Sequence, residues 1–294
     1  MKVYIKNHTF GAGKWIYKGY AAAWKLLGYD VEFYNDLKEL EGSGYYLMAL
    51  DGEVTAETVA VLEKSAKTFL YVQPTHFPPP WGSHPNFVST CASNMIREIN
   101  SASNVYKWTF TDLSEYHEEW ENVNTIPLAF DSINYLFKQE EKYAWDVCFV
   151  GGWADNGFNE KKKIMIEHFS KFKDSGLRCG IFINQNISHE EETLILSSSK
   201  IAINIHDAYQ RYLGLDTNER TFKSLGLCGF LISDEIGQYK RLFPDNPTAN
   251  TSEQMISHVL KYMSEDLSDI KKKNRKHILK EHTYLNRVQQ MITL

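Results

Sequence analysis

Cysteine is scarce in this 294-residue chain: Cys91, Cys148, Cys179 and Cys228 are scattered, form no CxxC pair and share no metal-ligand spacing with histidine. Neither a disulfide framework nor a structural zinc site is expected, and three of the four thiols fall in apolar runs, as reduced core residues do. No stretch of about 18 apolar residues occurs, so no membrane span is expected. The opening MKVYIKNHTF is too short and too polar for a signal peptide, which points to a cytoplasmic protein. Charge of one sign is lacking too: 32 Lys+Arg stand against 37 Asp+Glu, a formal −5. No global field draws the chain to nucleic acid or anionic lipid, and only local basic patches would do so.

Several catalytic signatures are missing. Gly11-Ala12-Gly13-Lys14 is not a P-loop, because His8 stands where the first glycine belongs and Trp15 where Ser or Thr would hold magnesium. The dinucleotide fingerprint GxGxxG fails at Ile16. No Gly-x-Ser-x-Gly elbow supports serine hydrolase chemistry. Neither a DxD motif at a strand end nor a His/Asp/Glu cluster with ligand spacing is present, so a metal-independent site without a cofactor is expected.

What is present reads as a two-domain α/β protein. Hydrophobic residues make up 43% and charged residues 23%, enough apolar material for two cores. MKVYIKN, a glycine-bearing loop, WIYKGYAAAWKLLG capped by Gly28, and YDVEFYN give strand, helix and strand, the signature of a parallel sheet. YYLMALDG, TAETVAVLEKSA and KTFLYVQPTHF continue the alternation. Five of the eight prolines crowd into PTHFPPPWGSHP, which must be a shaped loop. A helix through NFVSTCASNMIREINSA, a strand VYKWTFTD, a polar helix near DLSEYHEEWENV and a strand TIPLAFDS complete a first domain, 1–136. The charged stretch 137–145 reads as a linker. In the second domain, 146–294, DVCFVGGW, LRCGIFIN, KIAINIH and GFLIS read as strands. Helices separate them, DAYQRYLGLDT is a loop, and two long helices end the chain. The expected architecture is two Rossmann-like domains facing each other across a cleft.

In open parallel sheets ligands bind beyond the carboxyl ends of the strands. Here those ends carry Gly151-Gly152-Trp153, Asn184-Gln185-Asn186, His206-Asp207 and Ser233-Asp234-Glu235. Gly151 and Gly152 would let a phosphate approach backbone amides at a helix N-terminus. Lys161 to Lys163 follow on that helix, as a solvated face or within reach of a phosphate. In the first domain His76, in the proline-rich loop, and His8, near Trp15 and Tyr17, are placed to act as a base or to contact a sugar.

The run INIHDAYQRYLGLDTNERTFKSLGLCGFLISDE, with LFPDN and KEHTYLNRVQQMI after it and IPLAFD before the linker, resembles the C-terminal domain of GT-B glycosyltransferases. The spore-maturation-protein-like branch is the nearest group, on its Asn-x-His strand, Arg-Thr-Phe helix, Cys-Gly turn and Ser-Asp-Glu strand end. The resemblance covers about residues 146–293. It implies a metal-independent transferase, of hexosyltransferase type, that moves a sugar from a nucleotide-diphosphate sugar to a hydroxyl of a carbohydrate or other acceptor. Arg220, Asn218, Thr221, Gly151 and Gly152 would face the diphosphate. His206, Asp234 and Glu235 would face the sugar or ribose. Relatives carry two glutamates eight positions apart around this helix; here Lys223 and Leu215 stand in their places. Either Lys223 meets a phosphate or ribose oxygen, or Glu219 or Asp216 substitutes, or donor binding is lost. A silent binding or scaffold protein, and a transferase acting on modified DNA bases, are the alternatives.

Overall fold

The computed structural model describes residues 1–9, 11–83, 87–153 and 160–294. Phe10, His84 to Asn86 and Ala154 to Asn159, which fall in three of the expected strand-end loops, lie outside the described residues. The chain forms two compact units, one of Met1–Pro127 with Tyr284–Leu294 and one of Leu128–Thr283.

The first unit is built on β1 (Lys2–Lys6), α1 (Gly13–Leu26), β2 (Asp30–Tyr34), β3 (Tyr46–Leu50), α2 (Val59–Lys64), β4 (Lys67–Tyr71), α3 (Ser93–Ser101), β5 (Val105–Thr109) and β6 (Asn124–Thr125). Its strands run parallel in the order β2-β1-β3-β4-β5-β6. Val3, Ile5, Leu47, Phe69 and Leu70 are fully buried, as central strands covered on both faces require. Helix α1 stops where expected, with Gly28 in the left-handed region at φ +85° and its N–H bonded to the Lys25 carbonyl.

The second unit holds β7 (Val147–Gly151), α4 (Lys161–Ser170), β8 (Cys179–Ile183), α5 (His189–Ser198), β9 (Ile201–Asn204), α6 (Ala208–Leu213), α7 (Glu219–Leu227), β10 (Leu231–Ser233), α8 (Gly237–Leu242), α9 (Ser252–Met263) and α10 (Ser268–Glu281). The strands are parallel in the order β10-β9-β7-β8. Phe222, Leu225 and Leu227 anchor α7 with fully buried side chains, each stabilising by about 1.5–3 kcal/mol. Among the described residues no helix is long and apolar enough to cross a membrane.

Four sequence expectations need correction. DLSEYHEEWENV yields a single 3-10 turn, Glu115–His117, because it lacks an apolar stripe to bury. TIPLAFDS is not a strand: after Thr125 comes Ile126-Pro127, and Pro127 has no N–H for a ladder; only Phe130 bridges, to Thr283. DAYQRYLGLDT contains α6, ended by Gly214 at φ +71°. The last long helix is two, α10 and α11 (Tyr284–Thr293), broken at His282. The expected linker is bound into the second unit, with the Gln139 amide donating to the Ser197 carbonyl at 2.7 Å and the Glu140 N–H to Ser198 Oγ at 2.9 Å.

Helix α11 belongs to the first unit because Gly19 makes room for it: a Cβ there would lie 2.3 Å from Tyr284 Cδ2. On an exposed helix Gly→Ala gains roughly 1 kcal/mol. Here overpacking outweighs that gain, and Gly19→Ala is expected to destabilise by about 1–3 kcal/mol in urea denaturation. A stabilised variant would show that the Tyr284 ring is free to move aside.

Candidate functional site

In the second unit β7 lies between β8 and β9, so the chain's crossovers leave it in opposite directions and open a crevice at the carboxyl ends of β7 and β9. The side chains that fill this crevice come from four elements. Arg220, in the first turn of α7, lies across it: Nε donates to the Val150 carbonyl at 2.7 Å and Nη1 to Asn204 Oδ1 at 3.0 Å, with the guanidinium 4.8 Å over the Phe149 ring. Both hydrogen-bond partners are neutral, and among the described residues no carboxylate pairs with it. Burial draws the guanidinium pKa down, against the nearby acids. Gly151 is required for this placement, since a Cβ on it would stand 2.1 Å from Arg220 Nη2. Gly152 is required too, because its Cβ would overlap Asn184 Oδ1, which accepts the Trp153 N–H at 3.1 Å.

Asn218 caps α7, its side chain accepting the Thr221 N–H at 3.3 Å, and leaves the positive end of the helix dipole beside Arg220. Asn204, fully buried at the end of β9, donates to Asn218 Oδ1 and to Thr221 Oγ1 at 3.1 and 2.9 Å. His206 is locked: Nδ1 meets Asp234 Oδ1 at 2.5 Å, Nε2 meets Thr217 Oγ1 at 2.8 Å, and its backbone N–H donates to Asp234 Oδ2 at 3.0 Å. Burial pushes the Asp234 carboxyl pKa up, but His206 and Arg211 outweigh that and leave it below the ordinary value. Asp216 is buried and accepts from the Gln210 amide at 2.6 Å. Glu235 stands apart, exposed and engaged by Lys240 and Thr248, both at 3.3 Å.

Lys161 is the residue that sequence reasoning undervalued. It is buried at the start of α4, 3.1 Å from Asp207 Oδ1. Burial, then the charge of Arg220, draws its ammonium pKa down. Inside EKKK it looks like one more solvated lysine; only the fold shows its partner, 46 positions away.

Lys223 does not belong to this cluster. It is buried between α7 and α5, bonded to Glu192 Oε2 at 3.1 Å and Glu219 Oε2 at 3.6 Å, with its ammonium 4.6 Å over the Tyr135 ring. Burial alone would lower its pKa; Glu219, Glu192 and Tyr135 reverse that and hold it raised. The two carboxylates share one ammonium, and burial raises the Glu219 pKa. Among the described residues no three of His, Cys, Asp and Glu converge as a metal site.

In the first unit the corresponding crevice lies at β1 and β3. His8, after β1, is stacked on Tyr17 at 4.3 Å, its pKa lowered by burial and by Lys6. Among the described residues His8 Nε2, itself buried, has no hydrogen-bond partner. His76 is exposed in the proline-rich loop, edge-on to Tyr116 at 5.3 Å. Asp51, which no local pattern marks, is fully enclosed at the end of β3, where Oδ2 accepts the Gln73 N–H at 2.9 Å. Burial pushes its carboxyl up to about 6 from 3.8. A carboxyl whose folded pKa is raised contributes stability below its unfolded value and loses it as pH climbs through 6. Asp51→Asn is therefore expected to gain up to about 3 kcal/mol at pH 7, with a flatter Tm profile between pH 4 and 6. An unchanged profile would mean that Asp51 does not titrate there.

The chain matches the family model described as glycosyl transferase-like over residues 139–293, more than half its length. No relative among curated proteins matches. A solved structure of T4 phage BGT with its UDP-glucose substrate shares the fold at TM-score 0.60 and 11% identity, covering 100% of this chain and 98% of that one. An α-glucosyltransferase with UDP and a 13-mer DNA matches at TM-score 0.60, 11% identity, 100% and 99% coverage. AviGT4, a glycosyltransferase of avilamycin A biosynthesis, matches at TM-score 0.58, 9% identity, 99% and 96% coverage. At such identities the likeness is one of fold: two Rossmann-like domains of the GT-B kind.

Proposed function

This chain belongs to the glycosyl transferase-like family, and we propose that it moves a sugar from a nucleotide-diphosphate sugar to an acceptor hydroxyl, holding the diphosphate over Arg220 and the N-terminus of α7. The observation that carries this reading is a half-buried guanidinium whose hydrogen-bond partners among the described residues are all neutral, with a buried ammonium, Lys161, close enough for the charge of Arg220 to lower its pKa. Lys161 has its counter-charge in Asp207, so Arg220 is the cation of this site left to meet an anion. Gly151, Gly152, Asn218 and Thr221 shape it.

In the transfer, the acceptor oxygen bonds to the anomeric carbon as the bond from that carbon to the β-phosphate oxygen breaks. The nucleoside diphosphate leaves with an added negative charge, which Arg220, Lys161 and the helix dipole are placed to stabilise without a metal ion. The acceptor proton passes to a base. Of His8 and His76, His8 is the better supported: its lowered pKa keeps it neutral at pH 7, and its buried Nε2 has no hydrogen-bond partner among the described residues.

Of the three possibilities for the missing glutamates, the geometry favours Glu219. Lys223 is already committed to carboxylates, and Asp216 to Gln210. Glu219 shares its ammonium with Glu192 and so keeps acceptor capacity for a ribose or sugar hydroxyl. Asp234 and His206 support the same wall from behind. Glu219→Gln is expected to raise the donor KM about tenfold, the worth of one hydrogen bond to a charged group, with a smaller change in kcat. A KM unchanged within twofold would assign the hydroxyl contact elsewhere.

Asn204-x-His206, Arg220-Thr221-Phe222, Cys228-Gly229 and Ser233-Asp234-Glu235 support the spore-maturation-protein-like branch within the family. Four free cysteines support a cytoplasmic setting. The test is a thermal-shift and turnover panel of nucleoside diphosphates and their sugars, with and without EDTA. A Tm rise with one base family that survives EDTA, together with release of the nucleotide, supports the reading. Binding without release would make the chain a silent relative, and no shift with any of them would overturn the donor site.

A further inference from the structure

A cavity of about 320 Å³ opens in the first unit at the amino ends of β5 and β6, between the C-terminus of α3 and the residues that precede β6. Its volume lies at the lower end of the range of small-molecule sites, about 300–1,000 Å³. The carboxyl ends of the strands, where open parallel sheets hold their substrates, lie at the other end of β5, roughly 16 Å away. Lys107 lines the cavity and is 3% exposed. Among the described residues its ammonium has neither a hydrogen bond nor an ion pair. Glu121 is the acid whose charge acts on it, and the two form no salt bridge. The other two buried lysines among the described residues are paired, Lys161 with Asp207 and Lys223 with Glu192 and Glu219. A buried charge is costly until it is paired, and burial lowers the Lys107 pKa against the pull of Glu121.

Three more polar side chains line the cavity without a hydrogen bond among the described residues: Ser103, Tyr106 and Asn122. Each has a donor to offer. Its other polar groups are already used and fix the wall. Asn100 donates to the Glu119 carbonyl at 2.9 Å and accepts the Glu121 N–H at 3.1 Å, and Asn124 donates to the Lys107 carbonyl at 3.3 Å. Lys67 adds positive charge beside the site, 4.7 Å over the Tyr106 ring, while Ala102, Val105 and Leu294 supply apolar surface. One unpaired ammonium with neutral donors calls for a single negative charge. A phosphate dianion would keep a charge unmatched and would be repelled by Glu121. A carboxylate offers two oxygens with lone pairs enough for the ammonium and the neutral donors, and a short carbon skeleton can cover the apolar wall.

We infer that this cavity binds a small carboxylic acid as its anion, with Lys107 as the counter-charge and Ser103, Asn122 and Tyr106 as neutral donors. The site is independent of the transferase reading, because it lies at the end of the sheet away from the strand-end crevice. A ligand held there joins α3, β5 and the start of β6, so occupancy stabilises the first unit.

Amide NMR spectra of the full chain test it, recorded during titration with acetate, lactate and pyruvate, and with chloride and inorganic phosphate as comparators, at constant ionic strength. At least one carboxylate is expected to give saturable shifts confined to residues 100–107 and 122–124, and to raise Tm. Lys107→Met, which removes an unpaired charge from the interior and so keeps the fold, is expected to weaken that binding about tenfold or more. Glu121→Gln, an exposed change, is expected to strengthen it by about threefold, because the competing charge is gone. The inference is overturned if no carboxylate gives saturable shifts at these residues, or if Lys107→Met binds as the wild type does. It is also overturned if chloride or phosphate binds there more tightly than every carboxylate.

Discussion

Arg220→Ala is expected to lower kcat/KM for the nucleotide sugar by about 100- to 1,000-fold, the usual effect of removing one preorganised donor from a developing negative charge. The physical reason is the company Arg220 keeps. Its Nε and Nη1 satisfy a carbonyl and an amide oxygen, which fixes the fork without neutralising it. A lysine cannot reproduce that geometry, so Arg220→Lys should recover little, because the charge returns but the two anchoring bonds do not both form. Since Arg220 also ties α7 to the end of β7, the alanine variant should lose some intrinsic stability. The decisive comparison is the ligand-induced rise in Tm over each variant's own baseline. A variant that keeps the full rise with nucleoside diphosphates would remove Arg220 from the donor site.

The second large effect is expected at Lys223. Its substitution by methionine keeps most of the side-chain volume but leaves Glu192 and Glu219 facing each other without a counter-charge. Breaking a buried ion pair from one side costs about 3–5 kcal/mol, more than the pair contributes relative to an apolar replacement. Adding Glu192→Gln and Glu219→Gln should restore most of that loss. The deficit has a pH signature: without the ammonium both carboxyls acquire raised folded pKa values, so stability returns as pH falls to the ordinary glutamate range and is lost again as pH rises. Urea midpoints at pH 4.5 and pH 8 check this. Equal midpoints for Lys223→Met and wild type at pH 8 would mean that solvent already screens the cluster.

The alternation of strand, loop and helix was open to reading because parallel strands buried on both faces leave unbroken apolar runs, such as DVCFV and KIAINI. The tight turns were legible for a similar reason: a left-handed residue after a helix selects glycine, as at Gly28. Short elements were not. Helix α6 spans six residues, too few for a periodic stripe, and only the capping pattern of Asp207 and Gln210 with Gly214 behind it hinted at a helix. The break at His282 carries neither glycine nor proline; tertiary pairing of Thr283 with Phe130 decides it. The residues proposed for the donor on one continuous stretch, Asn218 to Thr221, stand together in the sequence and needed no fold to bring them together. Lys161 with Asp207, His206 with Asp234 and Lys223 with Glu192 were not, because each pair is made by the fold across 28 to 46 positions.

The chain leaves the first unit at Pro127 and comes back to it only at Tyr284. On the ribosome this separates the six strands of that unit from the helix whose Tyr284 lies on Gly19 and Tyr20. At about 5–20 residues per second the wait is roughly ten to thirty seconds. During that time the face of α1 that meets Tyr284 has no cover, whereas every strand and helix of the second unit has been made by Thr283. The half that is synthesised first is thus the half that finishes folding last, and the nascent chain carries an unsealed apolar face until its final helix emerges.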